Sequence, residues 1–134
     1  MRVLVVQDQT ATEWADELAD AGHELIGPAR TSRDALRLAK SRKPDIAFVD
    51  LDAEGQAVVI ELTEDLTADE HLDVIVCTAQ PDIARRSQSG AIGLLSKPCS
   101  PRDVIASISI VAAMKDGERS PTLPPSFELL VSPQ

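Results

Sequence analysis

The segment Pro44-Asp45-Ile46-Ala47-Phe48-Val49-Asp50 decides the fold of this chain, because a short apolar run follows a proline and stops at a carboxylate. Asp8, Thr78 and Lys97 each come at or just after the end of another short apolar run. Such runs are typical of strands that are buried on both faces of a parallel sheet. In open sheets of this kind, ligand chemistry gathers beyond the carboxyl ends of the strands. The sequence therefore predicts that two carboxylates, a hydroxyl and an ammonium group converge, a set that suits a divalent cation and a phosphoryl group.

Composition and charge restrict the class of protein. The 134 residues are enough for one domain with a substantial core, and an aromatic content of 2% makes that core aliphatic. The net charge of -9 is offset by no basic stripe, so we expect no direct nucleic-acid partner. No segment approaches the roughly 20 apolar residues of a membrane span. Cys77 and Cys99 lack paired spacing, which predicts reduced thiols in a cytoplasmic protein.

Apolar runs alternate with helix-like patterns, in which apolar residues recur three or four positions apart, as at Trp14, Leu18 and Ala21. We predict strands over 2–7, 23–28, 46–50, 73–77 and 91–95, and helices over 10–21 and 31–40, after Gly55, from Pro81 to about Gly90, and over 101–115. Five βα units predict a doubly wound α/β fold, a parallel sheet with helices on both faces.

Residues 117–134 break this pattern, so we divide the chain into a domain over 1–116 and a Pro-rich C-terminal tail over 117–134. Gly117 stops the last helix, and four prolines in the tail prevent regular continuation. We expect the tail to be irregular, although Phe127-Glu128-Leu129-Leu130-Val131 is apolar enough to pack against the domain.

The predicted helix over 101–115 carries two apolar stripes. One stripe faces the core, and the second predicts contact beyond the monomer. The stripes consist of Val104, Ile105, Ile108, Val111 and Ala112, and of Ala106, Ile110, Ala113 and Met114. We therefore predict a homodimer through this region; the alternative is that the tail covers the second stripe.

With these residues placed, the chain resembles a response-regulator receiver domain of bacterial two-component signalling over residues 1 to about 116. Five motifs occur in the order of that family, namely Val5-Val6-Gln7-Asp8, Pro44 through Asp50, Cys77-Thr78-Ala79, Gly90-Ala91 and Lys97-Pro98. Each motif alone is weakly specific, whereas the five in this order form a specific set. The resemblance implies a flavodoxin-like, five-stranded parallel sheet with strand order 2-1-3-4-5.

The resemblance also implies a role for each matching residue. Asp50 is expected to accept a phosphoryl group from a sensor histidine kinase or a phosphotransfer protein. Thr78 would hydrogen-bond a phosphoryl oxygen, Lys97 would form an ion pair with it, and a downstream protein target would read the result. Mg²⁺ would be bound by Asp8, Asp50 and the backbone carbonyl of Asp52. A carboxylate nucleophile, oxygen ligands for Mg²⁺ and a nearby cation agree with the general chemistry of phosphoryl transfer.

Two positions depart from the family pattern. Gln7 replaces the first acid of the usual acidic pair, which removes a charge from the metal site and should lower its affinity for Mg²⁺. Leu94 stands where the family usually has Tyr or Phe as a rotating switch. Both residues favour an alternative, a pseudo-receiver that acts as a phosphorylation-independent binding module. The retained phosphorylation residues favour the first interpretation.

An enzyme is the third interpretation. Val49-Asp50-Leu51-Asp52 resembles the first motif of haloacid-dehalogenase-like phosphatases, which also use Thr and Lys later in the chain. Those enzymes place metal-binding acids after the lysine, whereas no acidic pair follows Lys97 at a strand end here. We therefore predict a signalling protein and not an enzyme.

Overall fold

The computed structural model describes residues 1–6, 12–51, 56–87, 90–97, 100–117 and 123–130. Strands and helices alternate along the chain, as the sequence predicts. The strands are β1 (Arg2–Val6), β2 (Glu24–Ala29), β3 (Ile46–Asp50), β4 (Asp73–Thr78), β5 (Gly93–Ser96) and β6 (Phe127–Leu129). The helices are α1 (Thr12–Asp20), α2 (Ser32–Arg42), α3 (Gln56–Ala68), α4 (Pro81–Ser87) and α5 (Pro101–Lys115).

One six-stranded sheet organises the fold, with the strand order β2-β1-β3-β4-β5-β6. The first five strands are parallel, so the predicted doubly wound architecture and the order 2-1-3-4-5 are confirmed. β3 and β4 are buried at every position, which explains why their sequences are apolar without alternation. Because the strands are parallel, their carboxyl ends lie along one edge of the sheet.

Two apolar clusters form the core, one on each face of the sheet. On one face, α2, α3 and α4 pack against alternate strand residues such as Leu4 and Val49. On the other face, α1 and α5 pack against the intervening residues, such as Val5 and Phe48. The first apolar stripe of α5 lies in this second cluster, as predicted. Among the residues that the structure describes, no helix is both long and apolar enough to cross a membrane.

The sixth strand corrects the prediction of a five-stranded sheet and an irregular tail. β6 pairs antiparallel with β5 and aligns Leu129 with Gly93 and Phe127 with Leu95. Phe127 is buried, and its ring lies so close to Gly93 that a Cβ at that position would come within 2.7 Å of it. Pro124 precedes the strand, so a three-residue edge strand forms without placing a proline inside the sheet.

The ends of α2 and α5 follow local sequence signals. Thr31 caps α2, because its hydroxyl accepts a hydrogen bond from the Asp34 N–H. Ser100 and Asp103 form a reciprocal capping box at the start of α5. α2 continues past the predicted end at Lys40 and stops at Lys43, which adopts a left-handed conformation with φ 48°. The sequence signals this end through Pro44, which directly follows Lys43, and not through glycine, the usual residue in this conformation.

Candidate functional site

Three of the predicted site residues meet at the carboxyl edge of the sheet. Asp50 ends β3, Thr78 ends β4, and Lys97 directly follows β5. The strand register aligns Asp50 with Cys77 and Thr78 with Ser96, so the three residues occupy adjacent positions. The backbone N–H of Lys97 also donates to the Thr78 carbonyl at 2.9 Å. The parallel sheet thus brings together residues that are distant in sequence.

Lys97 and Asp50 form an ion pair. The Lys97 Nζ donates a hydrogen bond to Asp50 Oδ1 at 2.8 Å. The Asp50 side chain is 9% exposed and that of Lys97 is 30% exposed, so solvent screens this pair less than a surface pair. A buried carboxylate needs a partner to offset its lost hydration. Lys97 meets that need and also holds a positive charge against the side chain that the resemblance predicts to be the nucleophile.

Thr78 is fully buried at the end of β4. Its Oγ1 accepts a hydrogen bond from the backbone N–H of Gln80 at 2.9 Å. α4 begins at the next residue, Pro81. The orientation of the Thr78 hydroxyl and the start of α4 are therefore linked by a direct contact.

The other two metal-site residues predicted from the sequence, Asp8 and Asp52, lie outside the described residues. Within the described ranges, no three His, Cys, Asp or Glu side chains form a group that could hold a metal ion. Asp50 offers carboxylate oxygens, which Mg²⁺ prefers, and a carboxylate has acceptor positions beyond the one that Lys97 uses. The chemistry of Asp50 therefore fits a Mg²⁺ site that Asp8 and the Asp52 carbonyl would complete.

Leu94 occupies the position where the resemblance leads one to expect a rotating aromatic residue. It is fully buried, in the same apolar cluster as Val76 of β4 and Ala84 of α4. A side chain packed in this way is part of the core. Gln7, the other departure from the family pattern, lies outside the described residues.

Contacts that the sequence does not predict tie the tail to the neighbourhood of the site. The Ser126 carbonyl accepts a hydrogen bond from the Ser96 N–H at 2.8 Å, one residue before Lys97. The Arg85 Nη2 of α4 lies 2.9 Å from Glu128 Oε1 of β6. The hydrogen bond with Glu128 is the main reason that the pKa of Arg85 is raised. No local sequence signal links Arg85 to a residue 43 positions away.

The chain also matches a known family. The response regulator receiver domain family matches residues 3–109, which is most of the chain, and the chain therefore belongs to that family. Receiver domains are signalling modules of two-component systems. They generally bind Mg²⁺ at their acidic site.

Several named relatives are similar in sequence. The transcriptional regulatory protein PdtaR of Mycobacterium tuberculosis is 28% identical over 117 residues, which are 84% of this chain and 57% of PdtaR. The chemotaxis protein CheY of Thermotoga maritima is 28% identical over 116 residues, covering 83% of this chain and 97% of CheY. The response regulator GacA of Pseudomonas aeruginosa is 29% identical over 119 residues, covering 84% of this chain and 56% of GacA. The chain thus spans little more than half the length of PdtaR and GacA.

Solved structures share the fold. The signal receiver domain of a modulated diguanylate cyclase from Desulfovibrio desulfuricans G20 superposes with a TM-score of 0.74 at 27% identity, covering 88% of this chain and 98% of that one. A CheY-like receiver domain protein from Methanospirillum hungatei JF-1 has a TM-score of 0.75 at 22% identity, with the same coverage of both chains. The second likeness supports the fold alone.

Proposed function

We propose that this chain is a phosphoacceptor signalling protein of a two-component system or phosphorelay. Asp50 accepts a phosphoryl group from a sensor histidine kinase or a phosphotransfer protein, and the phosphorylated domain signals through contact with a downstream protein. The observation that carries this proposal is the 2.8 Å ion pair between Lys97 Nζ and Asp50 Oδ1 at the strand ends, next to the strand that ends in Thr78. A cation held against a carboxylate supplies the positive charge that a transferred phosphoryl group requires.

The proposed chemistry is a substitution at phosphorus. An Asp50 carboxylate oxygen attacks the phosphorus of a phosphohistidine, so that a P–O bond to Asp50 forms while the P–N bond to the imidazole breaks. The imidazole leaves with the electron pair of that bond and takes up a proton. No base is needed, because the carboxylate is already an ionised nucleophile. Lys97 then pairs with a phosphoryl oxygen, and the Thr78 hydroxyl donates a hydrogen bond to another.

Asp50 would hold Mg²⁺ together with Asp8 and the backbone carbonyl of Asp52. When bound, Mg²⁺ neutralises charge on the phosphoryl oxygens. Because Gln7 replaces a carboxylate, we expect a lower affinity for Mg²⁺ than an acidic pair would give. Direct titration of the protein with Mg²⁺ checks this, and Gln7→Asp should tighten binding.

Phosphorylation is tested by incubating the purified chain with Mg²⁺ and either acetyl phosphate or phosphoramidate, and then measuring the intact mass. We expect one phosphoryl adduct on the wild-type chain and none on Asp50→Asn. Asp45→Asn, at the opposite end of the same segment, is the matched control and should still form the adduct. An adduct that persists in Asp50→Asn would place the phosphoryl group elsewhere and contradict the proposal.

The alternative function is a pseudo-receiver, a phosphorylation-independent binding module. The complete burial of Leu94 favours it, because a fixed aliphatic side chain replaces the rotating aromatic residue. Absence of an adduct with both small donors and with a panel of histidine kinases would support this alternative.

The remaining features of the proposal concern the whole chain. We propose a receiver domain over 1–116 with a tail over 117–134, acting without enzymatic turnover of its own. We place it in the cytoplasm, since the spacing of Cys77 and Cys99 in the sequence favours reduced thiols; Cys77 is buried, and Cys99 lies outside the described residues. The predicted homodimer through the 101–115 helix stays part of the proposal.

A further inference from the structure

We propose that the tail segment 123–130, which contains β6, is an autoinhibitory strap. It holds α4 and β5 in their resting arrangement, slows phosphorylation of Asp50, and leaves β5 when Asp50 is phosphorylated. This inference rests on the proposed phosphoacceptor function. β6 contacts both of the elements that adjoin the site. α4 begins three residues after Thr78, and β5 ends one residue before Lys97.

The strap packs against β5 at Gly93. Phe127 is only 4% exposed, and its ring lies over Gly93, where an added Cβ would meet two ring carbons at 2.7 Å. Leu123 and Leu129 pack against the same apolar cluster, which includes Ile110 of α5. Only a glycine leaves room for the ring at this place. β5 therefore carries a notch that the aromatic residue of the tail fills.

A charged contact holds the strap to α4. The Arg85 Nε lies 3.0 Å from both carboxylate oxygens of Glu128, and Nη2 lies 2.9 Å from Oε1. A guanidinium that meets a carboxylate through two nitrogens fixes direction as well as distance. The pair therefore constrains the position of α4 relative to β6.

Two hydrogen bonds connect the strap to the site residues. The Ser126 carbonyl accepts from the Ser96 N–H at 2.8 Å, and the next residue, Lys97, donates its N–H to the Thr78 carbonyl at 2.9 Å. Thr78 Oγ1 in turn accepts from the Gln80 N–H just before α4. A closed chain of contacts thus runs from β6 through β5 and the site to α4, and back to β6 through Arg85.

Phosphorylation acts on two members of this chain of contacts. A phosphoryl group adds about -1.5 to -2 charge and three acceptor oxygens, which attract the Lys97 ammonium and the Thr78 hydroxyl. If the Thr78 side chain rotates so that Oγ1 moves toward the phosphoryl group, Oγ1 moves away from the Gln80 N–H. That hydrogen bond is then lost, and the start of α4 moves. Because Arg85 is on α4, that movement displaces its contact with Glu128.

The strap is short enough to be released. β6 has three residues, and the Arg85 and Glu128 side chains are 44% and 43% exposed, so water screens their attraction. Elements held by few buried contacts open locally before the rest of a domain does. By linkage, a strap that phosphorylation loosens must make phosphorylation thermodynamically less favourable. The strap also slows the reaction wherever α4 has begun to move in the transition state.

The first test measures amide hydrogen exchange of the 123–130 segment by mass spectrometry, with and without Mg²⁺ and phosphoramidate, on protein whose adduct is quantified by intact mass. We expect exchange in this segment to become about 10-fold faster or more in the phosphorylated protein. Unchanged exchange in protein that carries the adduct overturns the strap and leaves the phosphoacceptor function standing.

The second test uses variants of the full chain. Phe127→Ser empties the notch and Gly93→Ala fills it, so both should speed exchange of 123–130 without a donor and speed adduct formation by about 5-fold or more. Arg85→Glu should act in the same direction, and the double variant with Glu128→Arg should restore wild-type behaviour. Arg86→Glu, the exposed neighbour on α4, is the matched control and should resemble the wild type.

Each remaining outcome of these tests either supports or overturns the autoinhibitory strap. Faster exchange in Phe127→Ser and Gly93→Ala at the wild-type rate of adduct formation overturns the coupling. An adduct that forms on Phe127→Ser but not on the wild-type chain supports autoinhibition directly. No adduct on any variant, with both small donors and with a panel of histidine kinases, overturns both the strap and the phosphoacceptor function.

Discussion

Lys97 neutralises a carboxylate that the fold has largely removed from water. Asp50 ends a strand that is buried at every position, and an ionised carboxylate there is costly without a nearby cation. The same lysine is placed where a phosphoryl group on Asp50 would carry its charge. One residue therefore serves the stability of the resting site and the chemistry proposed for it, which makes its substitution informative.

Lys97→Gln should slow acyl-phosphate formation about 100-fold, since a contact to developing charge is commonly worth that much in rate. The rate is measured by intact mass with phosphoramidate and Mg²⁺. Lys40→Gln, on the exposed face of α2, is the control and should react at the wild-type rate. Equal rates for Lys97→Gln and the wild type would reduce the ion pair to a structural role.

His23 predicts a pH dependence of stability. Burial, and then the positive amino terminus 2.9 Å from its Nδ1, lower the pKa of His23 below 6.5. Around that pH the unfolded chain binds more protons than the folded chain. The free energy of unfolding therefore decreases as the pH falls below about 6.5. His23→Gln should weaken this dependence.

The measurement is urea denaturation of untagged protein, with the amino terminus at Met1, at pH 5.5 and 7.5. The difference between the two pH values should be smaller in His23→Gln than in the wild type. An unchanged slope below pH 7 would contradict the prediction.

At the scale of elements, an ion pair ties the end of α5 to the start of β4. The Lys115 Nζ lies 2.7 Å from Asp73 Oδ2, and the Asp73 side chain is only 2% exposed. The pair stands at the edge of the sheet opposite to Asp50, since Asp73 lies at the start of β4 and not at its end, and Lys115 ends α5. This contact therefore stabilises the fold and is separate from the proposed chemistry.

Lys115→Met should lower the free energy of unfolding by about 1–3 kcal/mol, because it removes the cation that faces a buried carboxylate. The expected loss is below that of a fully buried pair, since the lysine side chain is 34% exposed. Urea denaturation measures it, with Lys40→Met as the surface control. If both substitutions cost the same, the pair contributes nothing specific.

At the scale of the whole molecule, the second apolar stripe of α5 is only partly exposed to other molecules. In the second apolar stripe, Ile110 is buried, whereas Ala106, Ala113 and Met114 are half-buried. Tail residues pack into the same cluster. The stripe that predicts a homodimer is therefore partly buried, and its half-exposed part stays available for a second copy.

Sedimentation velocity tests the homodimer. We expect the wild-type chain to associate and Met114→Glu to sediment as a monomer, since a charge in the shared apolar face opposes burial. Met114→Leu keeps the volume and the apolar character, and should associate like the wild type. If the wild-type chain is monomeric at every concentration, the half-exposed part of the stripe is too small to form a homodimer.

Much of the site could be predicted because its signals are local. A buried strand reads as an uninterrupted apolar run, and a parallel sheet aligns the carboxyl ends of such runs. Asp50, Thr78 and Lys97 could therefore be placed together before any distance was measured. The helix caps at Thr31 and Ser100 depend on neighbours within three residues, so they too are local signals.

By itself, the sequence determined the doubly wound sheet, its five parallel strands and the residues at its carboxyl edge, because periodicity and strand-end chemistry are properties of short segments. Only the tertiary structure decided the 2.8 Å Lys97–Asp50 pair, the Lys115–Asp73 pair and the sixth strand. Those contacts join residues tens of positions apart, and they depend on complementary shape and charge that a segment does not carry alone. Gly93 illustrates the difference, because its missing side chain acquires meaning only when Phe127 lies over it.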